Sequence, residues 1–206
     1  MPSLEHLLEA TGSVLADRAT GTNFFKKGLE TGYLPELWNV ERPDNITALH
    51  ASFIEAGSKL VLTNSFAGNA HMLKLHDAQD LVHELNSAGD DGWDRTGREI
   101  VVAGSRGPTG ELFAPMGALD YDDAFAVFTA QATALAKGEV DMLWVETMSS
   151  LEEVKAAIDA ATGLPVAACM TFDTAAKTMM GVSPAEFAIQ SAGFGAGFVG
   201  ANCGIG

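Results

Sequence analysis

The sequence predicts an α/β protein built on a parallel sheet covered by helices. Three observations carry that reading. Strand-length apolar stretches alternate with helical ones along the whole chain. The strands are continuous apolar runs, such as Leu60-Val61-Leu62 and Ile100-Val101-Val102-Ala103, which suits strands buried on both faces. A polar residue closes nearly every one: Asp17, Thr63-Asn64, Ser105, Glu146-Thr147, Thr171 and Asn202-Cys203. Two architectures meet these conditions, an open doubly wound sheet and a (βα)8 barrel. No GxGxxG follows the first strand, which weakens the dinucleotide form of the open sheet. Contributions from many strand ends to one mouth are the habit of a barrel.

The elements follow in order. Residues 4–10 form a short amphipathic helix with Leu4, Leu7 and Leu8 on one face, ended by Gly12. Residues 13–17 are the first strand, closed by a carboxylate, and 18–22 a polar loop. Residues 23–30 are helical, and 31–39 form a loop carrying Tyr33, Pro35 and Trp38. Pro43 suits the first turn of a helix reaching Ala56, with Ile46, Leu49, Phe53 and Ile54 facing inward. Residues 59–63 are the second strand, followed by the turn Asn64-Ser65. A helix covers 78–88, and 89–97, rich in turn formers, is loop. Residues 100–104 are the third strand and 105–117 the loop after it. A long helix spans 121–137, stopped by Gly138. Residues 142–145 are the fourth strand, closed by Glu146. Ser149 and Glu152 have capping-box spacing for a helix over 151–161. Residues 165–170 are the fifth strand. Ser183-Pro184-Ala185-Glu186 opens a helix with cap, proline and glutamate in place. Residues 198–201 are the sixth strand and lead to Cys203. A thiol at a strand end serves as metal ligand or nucleophile in some α/β proteins; elsewhere a free cysteine is a small buried hydrophobe.

Composition limits the function. The 206 residues suffice for one domain with a real core, and 47% hydrophobic with 19% charged is ordinary globular composition. A net charge of −15 repels phosphate backbones, so no nucleic acid partner is expected. Two cysteines, Cys169 and Cys203, make no disulfide framework and suit a reduced, cytoplasmic setting. No signal peptide opens the chain, and no apolar run reaches the length of a membrane span.

Five stretches in order resemble the homocysteine S-methyltransferase family. They are Asp17-Arg18-Ala19-Thr20-Gly21-Thr22, Thr63-Asn64-Ser65-Phe66, Gly104-Ser105-Arg106-Gly107-Pro108-Thr109-Gly110-Glu111, Trp144-Val145-Glu146-Thr147-Met148-Ser149-Ser150, and Ala201-Asn202-Cys203. The sequence looks most like the bacterial betaine–homocysteine methyltransferases of that family. The resemblance implies a (βα)8 TIM barrel with a catalytic zinc at its C-terminal mouth. About six of the eight βα units are present here, so the resemblance makes residues 1–206 a single homocysteine-binding barrel domain, incomplete at the C-terminus. It implies transfer of a methyl group from a donor such as betaine to zinc-activated homocysteine, giving methionine. Both substrates are small molecules.

The resemblance also distributes roles. Cys203 matches one zinc ligand, while the cysteine pair that supplies the other two has no counterpart. Asp17 and Glu146 match the acceptors for the homocysteine ammonium, which needs anionic partners. Thr63, Asn64, Gly107 and Thr109 stand where hydroxyl and backbone N–H groups would meet the substrate carboxylate. Trp38, Phe66 and Trp144 are candidate rings for a quaternary ammonium. Arg18 replaces a usual glycine and Arg106 a usual small apolar residue, which places two cations beside the expected mouth. His50, His71, His76 and His83 lie on helical stretches at mixed spacing and read as surface or satisfied histidines.

Plainer readings stand beside these. A strand-end carboxylate also caps turns or pairs with a cation, as Asp17 with Arg18. A Schiff-base aldolase barrel is a rival, but no lysine closes any of the strands. A non-catalytic barrel remnant that binds a ligand or partner is another. Missing barrel units would leave open apolar edges on the first and last strands, which predicts an oligomer, a partner chain or a further C-terminal segment. With one matching cysteine, little methyl transfer is expected from these 206 residues alone.

Overall fold

The computed structural model describes residues 3–17, 20–88, 99–173 and 175–204. The expected loop at 89–97 and the cation at Arg18 lie outside the described residues.

Helix α1 (Leu4–Thr11) starts where Ser3 Oγ accepts the His6 N–H and ends at Gly12, whose φ of 74° favours glycine. Residues 13–17 run extended and form a single parallel bridge, Ala16 to Leu60, rather than a full strand. Helix α2 is Thr20–Lys26. The expected loop at 31–39 contains a 3-10 turn, Pro35–Leu37, and leads into the short helix α3 (Trp38–Glu41). Helix α4 (Pro43–Glu55) begins on its proline as predicted. Strand β1 is Leu60–Leu62, followed by α5 (Ala70–Lys74), a helix the sequence reading passed over and which Asn69 caps. The expected helix at 78–88 divides into a 3-10 turn, Gln79–Leu81, and α6 (Val82–Ser87). Then come β2 (Val101–Arg106), α7 (Tyr121–Lys137), β3 (Met142–Met148), α8 (Leu151–Asp159), β4 (Val166–Met170), α9 (Pro184–Phe194) and β5 (Phe198–Ala201). The α8 cap is Ser150, accepting from Glu153 N, one residue later than expected.

The strands pair in parallel in the order β1-β2-β3-β4-β5. The extended segment at 13–17 adds a sixth position beside β1. Spatial order therefore equals chain order with no reversal. A doubly wound sheet needs a switch point where order reverses; sequential parallel order is the barrel arrangement.

Side chains alternate between two apolar layers. Leu60, Leu62, Val101, Ala103, Met142 and Ala167 face inward, where Leu4 and Leu7 of α1 close the floor. Val61, Val102, Leu143, Val145, Val166 and Ala168 face outward under α7 and α8. That double burial is why the strands read as unbroken apolar runs.

The alternation corrects one expectation. Ser105 points inward, so the next residue, Arg106, points out into the helix layer. It is fully buried and donates to Phe128 O and Ala157 O, both at 3.0 Å, with its guanidinium 5.0 Å from the Phe128 ring centre. Burial lowers its pKa to about 9, still high enough to stay charged at neutral pH. It is no cation beside the mouth. Among the described residues, no helix is long and apolar enough to cross a membrane.

Candidate functional site

The mouth is assembled from strand ends. Asp17 ends the first segment and is 1% exposed. Its Oδ1 accepts the Leu62 N–H at 2.8 Å, and its Oδ2 lies 3.2 Å from His50 Nδ1. Glu146, in β3, is 5% exposed. Its Oε1 accepts from Ser105 Oγ at 2.7 Å and its Oε2 from Asn202 Nδ2 at 2.9 Å.

A register shift between Val145 and Met148 breaks the regular β3–β4 pairing. Thr147 sits in it at φ 63°. Asn202 holds this irregularity: Thr147 N donates to Asn202 Oδ1 at 3.1 Å, and Asn202 Nδ2 donates to Thr147 Oγ1 at 3.0 Å. Cys203 follows, exposed, at φ 55°, with Thr147 Oγ1 3.8 Å from its Sγ. Left-handed backbone at a non-glycine residue costs roughly 1–3 kcal/mol and gathers at functional sites.

Asp17, Thr63, Asn64, Phe66, Glu146 and Cys203 line one cavity of ≈ 230 Å³. Five of the seven expected substrate and metal residues thus meet there, with the candidate ring Phe66, although Thr63 and Asn64 spend their side-chain donors elsewhere. Thr63 Oγ1 accepts the Ser105 N–H at 3.1 Å and lies 2.5 Å from Ser65 Oγ, which itself donates to Ser105 O. The Ser65 proton is thereby used, so the Thr63 hydroxyl donates to Ser65. Asn64 Nδ2 donates to Pro35 O and Asn39 Oδ1, both at 2.8 Å. These bonds tie the loop after β1 to β2 and to the 35–39 segment.

Gly107 and Thr109 do not line this cavity. Gly107 N donates to Phe66 O at 2.8 Å, and a Cβ there would stand 2.7 Å from the Phe66 ring, so only glycine fits. Thr109 gives both its N–H and its hydroxyl to Glu153 Oε1, each at 2.7 Å. The loop after β2 therefore docks on α8 instead of offering donors to a carboxylate in this cavity. Burial raises the Glu153 pKa, opposed by the two Thr109 bonds. Beyond that loop lies a second cavity of ≈ 610 Å³, lined among others by Glu111, Glu153, Phe172 and Asp173. It meets the first at Thr147 and Cys203.

The aromatic candidates separate. Trp38 is buried against Phe24, Trp144 packs inside the sheet, and Phe66 reaches the first cavity. Of the two readings for His50, surface or satisfied, the second holds at Nδ1: it is buried on Asp17. It occupies the inward stripe Ile46–His50–Ile54 at i, i+4, i+8, a signal present in the sequence. In the sequence Asn202 stands out only as the neighbour of Cys203, and nothing local announces its reach to β3. Cys169 is buried within β4. Among the described residues, no three His, Cys, Asp or Glu side chains stand close enough to hold a metal.

Known proteins share this chain's sequence pattern and its fold. The family model described as homocysteine S-methyltransferase matches residues 12–205. The methionine synthase of Mycobacterium leprae (strain TN) is 29% identical over 214 residues, covering 96% of this chain and 17% of that protein. The betaine–homocysteine S-methyltransferase 1 of Sus scrofa is 30% identical over 181 residues, covering 80% of this chain and 60% of that protein. The chain spans less than two thirds of the length of these curated relatives. The metallated form of the Escherichia coli homocysteine methyltransferase MmuM is similar with a TM-score of 0.82 at 20% identity, over 97% of this chain and 77% of that one. At that identity the likeness shows the fold. With the family model covering almost the whole chain, the protein belongs to the homocysteine S-methyltransferase family.

Proposed function

We propose that this chain binds homocysteine at the mouth of its sheet and serves methyl transfer to the homocysteine thiol, giving methionine. One observation carries the reading: two buried carboxylates, Asp17 and Glu146, line the same ≈ 230 Å³ cavity as Cys203. Paired anionic acceptors suit the ammonium of an amino acid, and the cysteine end of the cavity receives its thiol. The second cavity opens at Cys203, so a donor held there faces a thiol held in the first. The Phe172 ring and the carboxylates there suit the quaternary ammonium end of a methyl donor such as betaine, a zwitterion whose own carboxylate would point away from them. The net charge of −15 disfavours a polyanionic one. In the transfer, the thiolate sulfur attacks the methyl carbon and the methyl–nitrogen bond breaks. The bonding pair leaves on the amine, and the thiol proton passes to solvent.

The family resemblance implies zinc for forming that thiolate. One thiolate is a poor zinc site, and the described residues bring no second soft donor to Cys203. Zinc bound through Cys203 needs ligands from outside the described residues. The donor set described therefore does not fit a catalytic zinc by itself. The same observation favours a second reading, in which the chain holds homocysteine without turning it over.

Isothermal titration with L-homocysteine, zinc content by mass spectrometry, and methionine formation from homocysteine and betaine test both readings. Homocysteine should bind, and the purified chain should carry far less than one zinc. Binding without methionine selects the second reading. No homocysteine binding overturns both, and a firmly held stoichiometric zinc overturns the account of the donors.

A further inference from the structure

His50 has no part in the reading above, yet it touches one of its two carboxylates. It lies on α4, where Ile46 and Leu49 are also buried, and is 1% exposed. Its Nδ1 is 3.2 Å from Asp17 Oδ2, and the other oxygen, Oδ1, accepts the Leu62 N–H at 2.8 Å. Asp17 is thus gripped from the sheet through one oxygen and from a helix through the other. His50 Nε2 is buried with no hydrogen-bond partner among the described residues. An imidazole on an apolar helical stripe is costly to bury, so its contact with Asp17 is what the position gains from it.

We infer that His50 is a positioning residue for Asp17. It carries a proton on Nδ1 and donates it to Oδ2, which fixes the plane of the carboxylate. Each carboxylate oxygen accepts along two directions, so one bond to each leaves acceptor capacity turned toward the cavity shared with Glu146 and Cys203. Without the imidazole, Asp17 is held through Oδ1 alone and its carboxylate can turn away. The inference rests on the reading that Asp17 receives the ammonium of homocysteine.

The test compares L-homocysteine with 4-mercaptobutanoate, which has the thiol and carboxylate but no amino group. Both are titrated into the parent chain and into His50→Leu and His50→Asn. The parent should prefer homocysteine. His50→Leu should cut that preference by about tenfold, the weight of one charge-assisted hydrogen bond. His50→Asn, whose amide can stand near the Nδ1 position, should restore part of it. A merely structural role would weaken both ligands alike. Long-range 1H–15N spectra of the parent chain should show a proton on His50 Nδ1, in a pattern that Asp17→Asn alters. A preference unchanged in His50→Leu, or a bare Nδ1, overturns the role of His50 alone. A parent chain with no preference overturns the ammonium reading of Asp17, and this inference with it.

Discussion

Glu146→Gln separates binding from folding better than any other change at the mouth. The carboxylate accepts two bonds, from Ser105 Oγ at 2.7 Å and Asn202 Nδ2 at 2.9 Å. An amide in its place can keep its oxygen toward Asn202. Its NH2 then faces Ser105 Oγ, a hydroxyl that accepts as well as it donates. The local network survives, and stability should change by less than about 1 kcal/mol. An ammonium bound at the same carboxylate loses a charge-assisted hydrogen bond, roughly 1.5–3 kcal/mol. That is a weakening of homocysteine binding of about 10- to 150-fold. Asp17→Asn would be harder to interpret, because Asp17 Oδ1 also accepts a sheet-edge N–H from Leu62. Calorimetric titration with homocysteine and urea unfolding, run on the same preparations, give both numbers. Affinity within twofold of the parent would remove Glu146 from the ammonium site. A stability loss near 3 kcal/mol would make it a structural bridge between β2, β3 and the end of β5.

Two further predictions concern buried charge outside the mouth. Arg106 is paired with carbonyls and a ring but with no carboxylate among the described residues, so Arg106→Met should be neutral or stabilise the fold by about 1–3 kcal/mol. Arg106→Ala leaves a cavity and should cost about 2–4 kcal/mol; equal losses in urea unfolding of both variants would show that the guanidinium itself is needed. Glu36 is 2% exposed, and burial raises its pKa above the ordinary 4.5 although the Ala67 N–H bond opposes the shift. The folded chain then holds this proton to higher pH than the unfolded one, so the contribution of Glu36 is complete below 4.5 and falls as pH rises through the raised value. Glu36→Gln should therefore gain on the parent in unfolding free energy as pH rises above the ordinary 4.5; a difference that does not change with pH there would contradict the shift.

Asp17, Glu146 and Cys203 were legible because each follows an apolar run in the sequence, and parallel segments deliver their ends to one mouth. Helices with their own caps were legible for a similar local reason: Tyr121–Lys137 begins at Asp120 and Pro184–Phe194 at Ser183, both accepting from the third residue on. Short elements held by tertiary contacts were not. Ala70–Lys74 has a single turn's worth of pattern, and residues 13–17 make one bridge where an apolar run suggested a strand. Thr109 was misread because a glycine-rich loop says that its N–H groups are available to something, not to what. Here that partner is Glu153, 44 residues on.

The irregularity in β3 was the largest thing the sequence hid, and it sets the composition of the mouth. Met142, Trp144 and Glu146 point inward while Leu143 and Val145 pack under the helices. Strict alternation would send Thr147 outward and Met148 in. Met148 instead lies fully buried in the outer core, paired with Met170. Glu146 and Thr147 together therefore occupy one step of the ladder, as two residues do in a bulge. Both reach the cavity, and the outer layer resumes in phase. The strain at Thr147 is offset by Asn202, which satisfies its N–H and its hydroxyl and also reaches Glu146. The residue before Cys203 thus sets the carboxylate and the thiol in one frame. Asparagine and cysteine are adjacent for a geometric reason: one side chain ties β5 to β3 while the next, turned by its left-handed backbone, faces the opening where the two cavities meet.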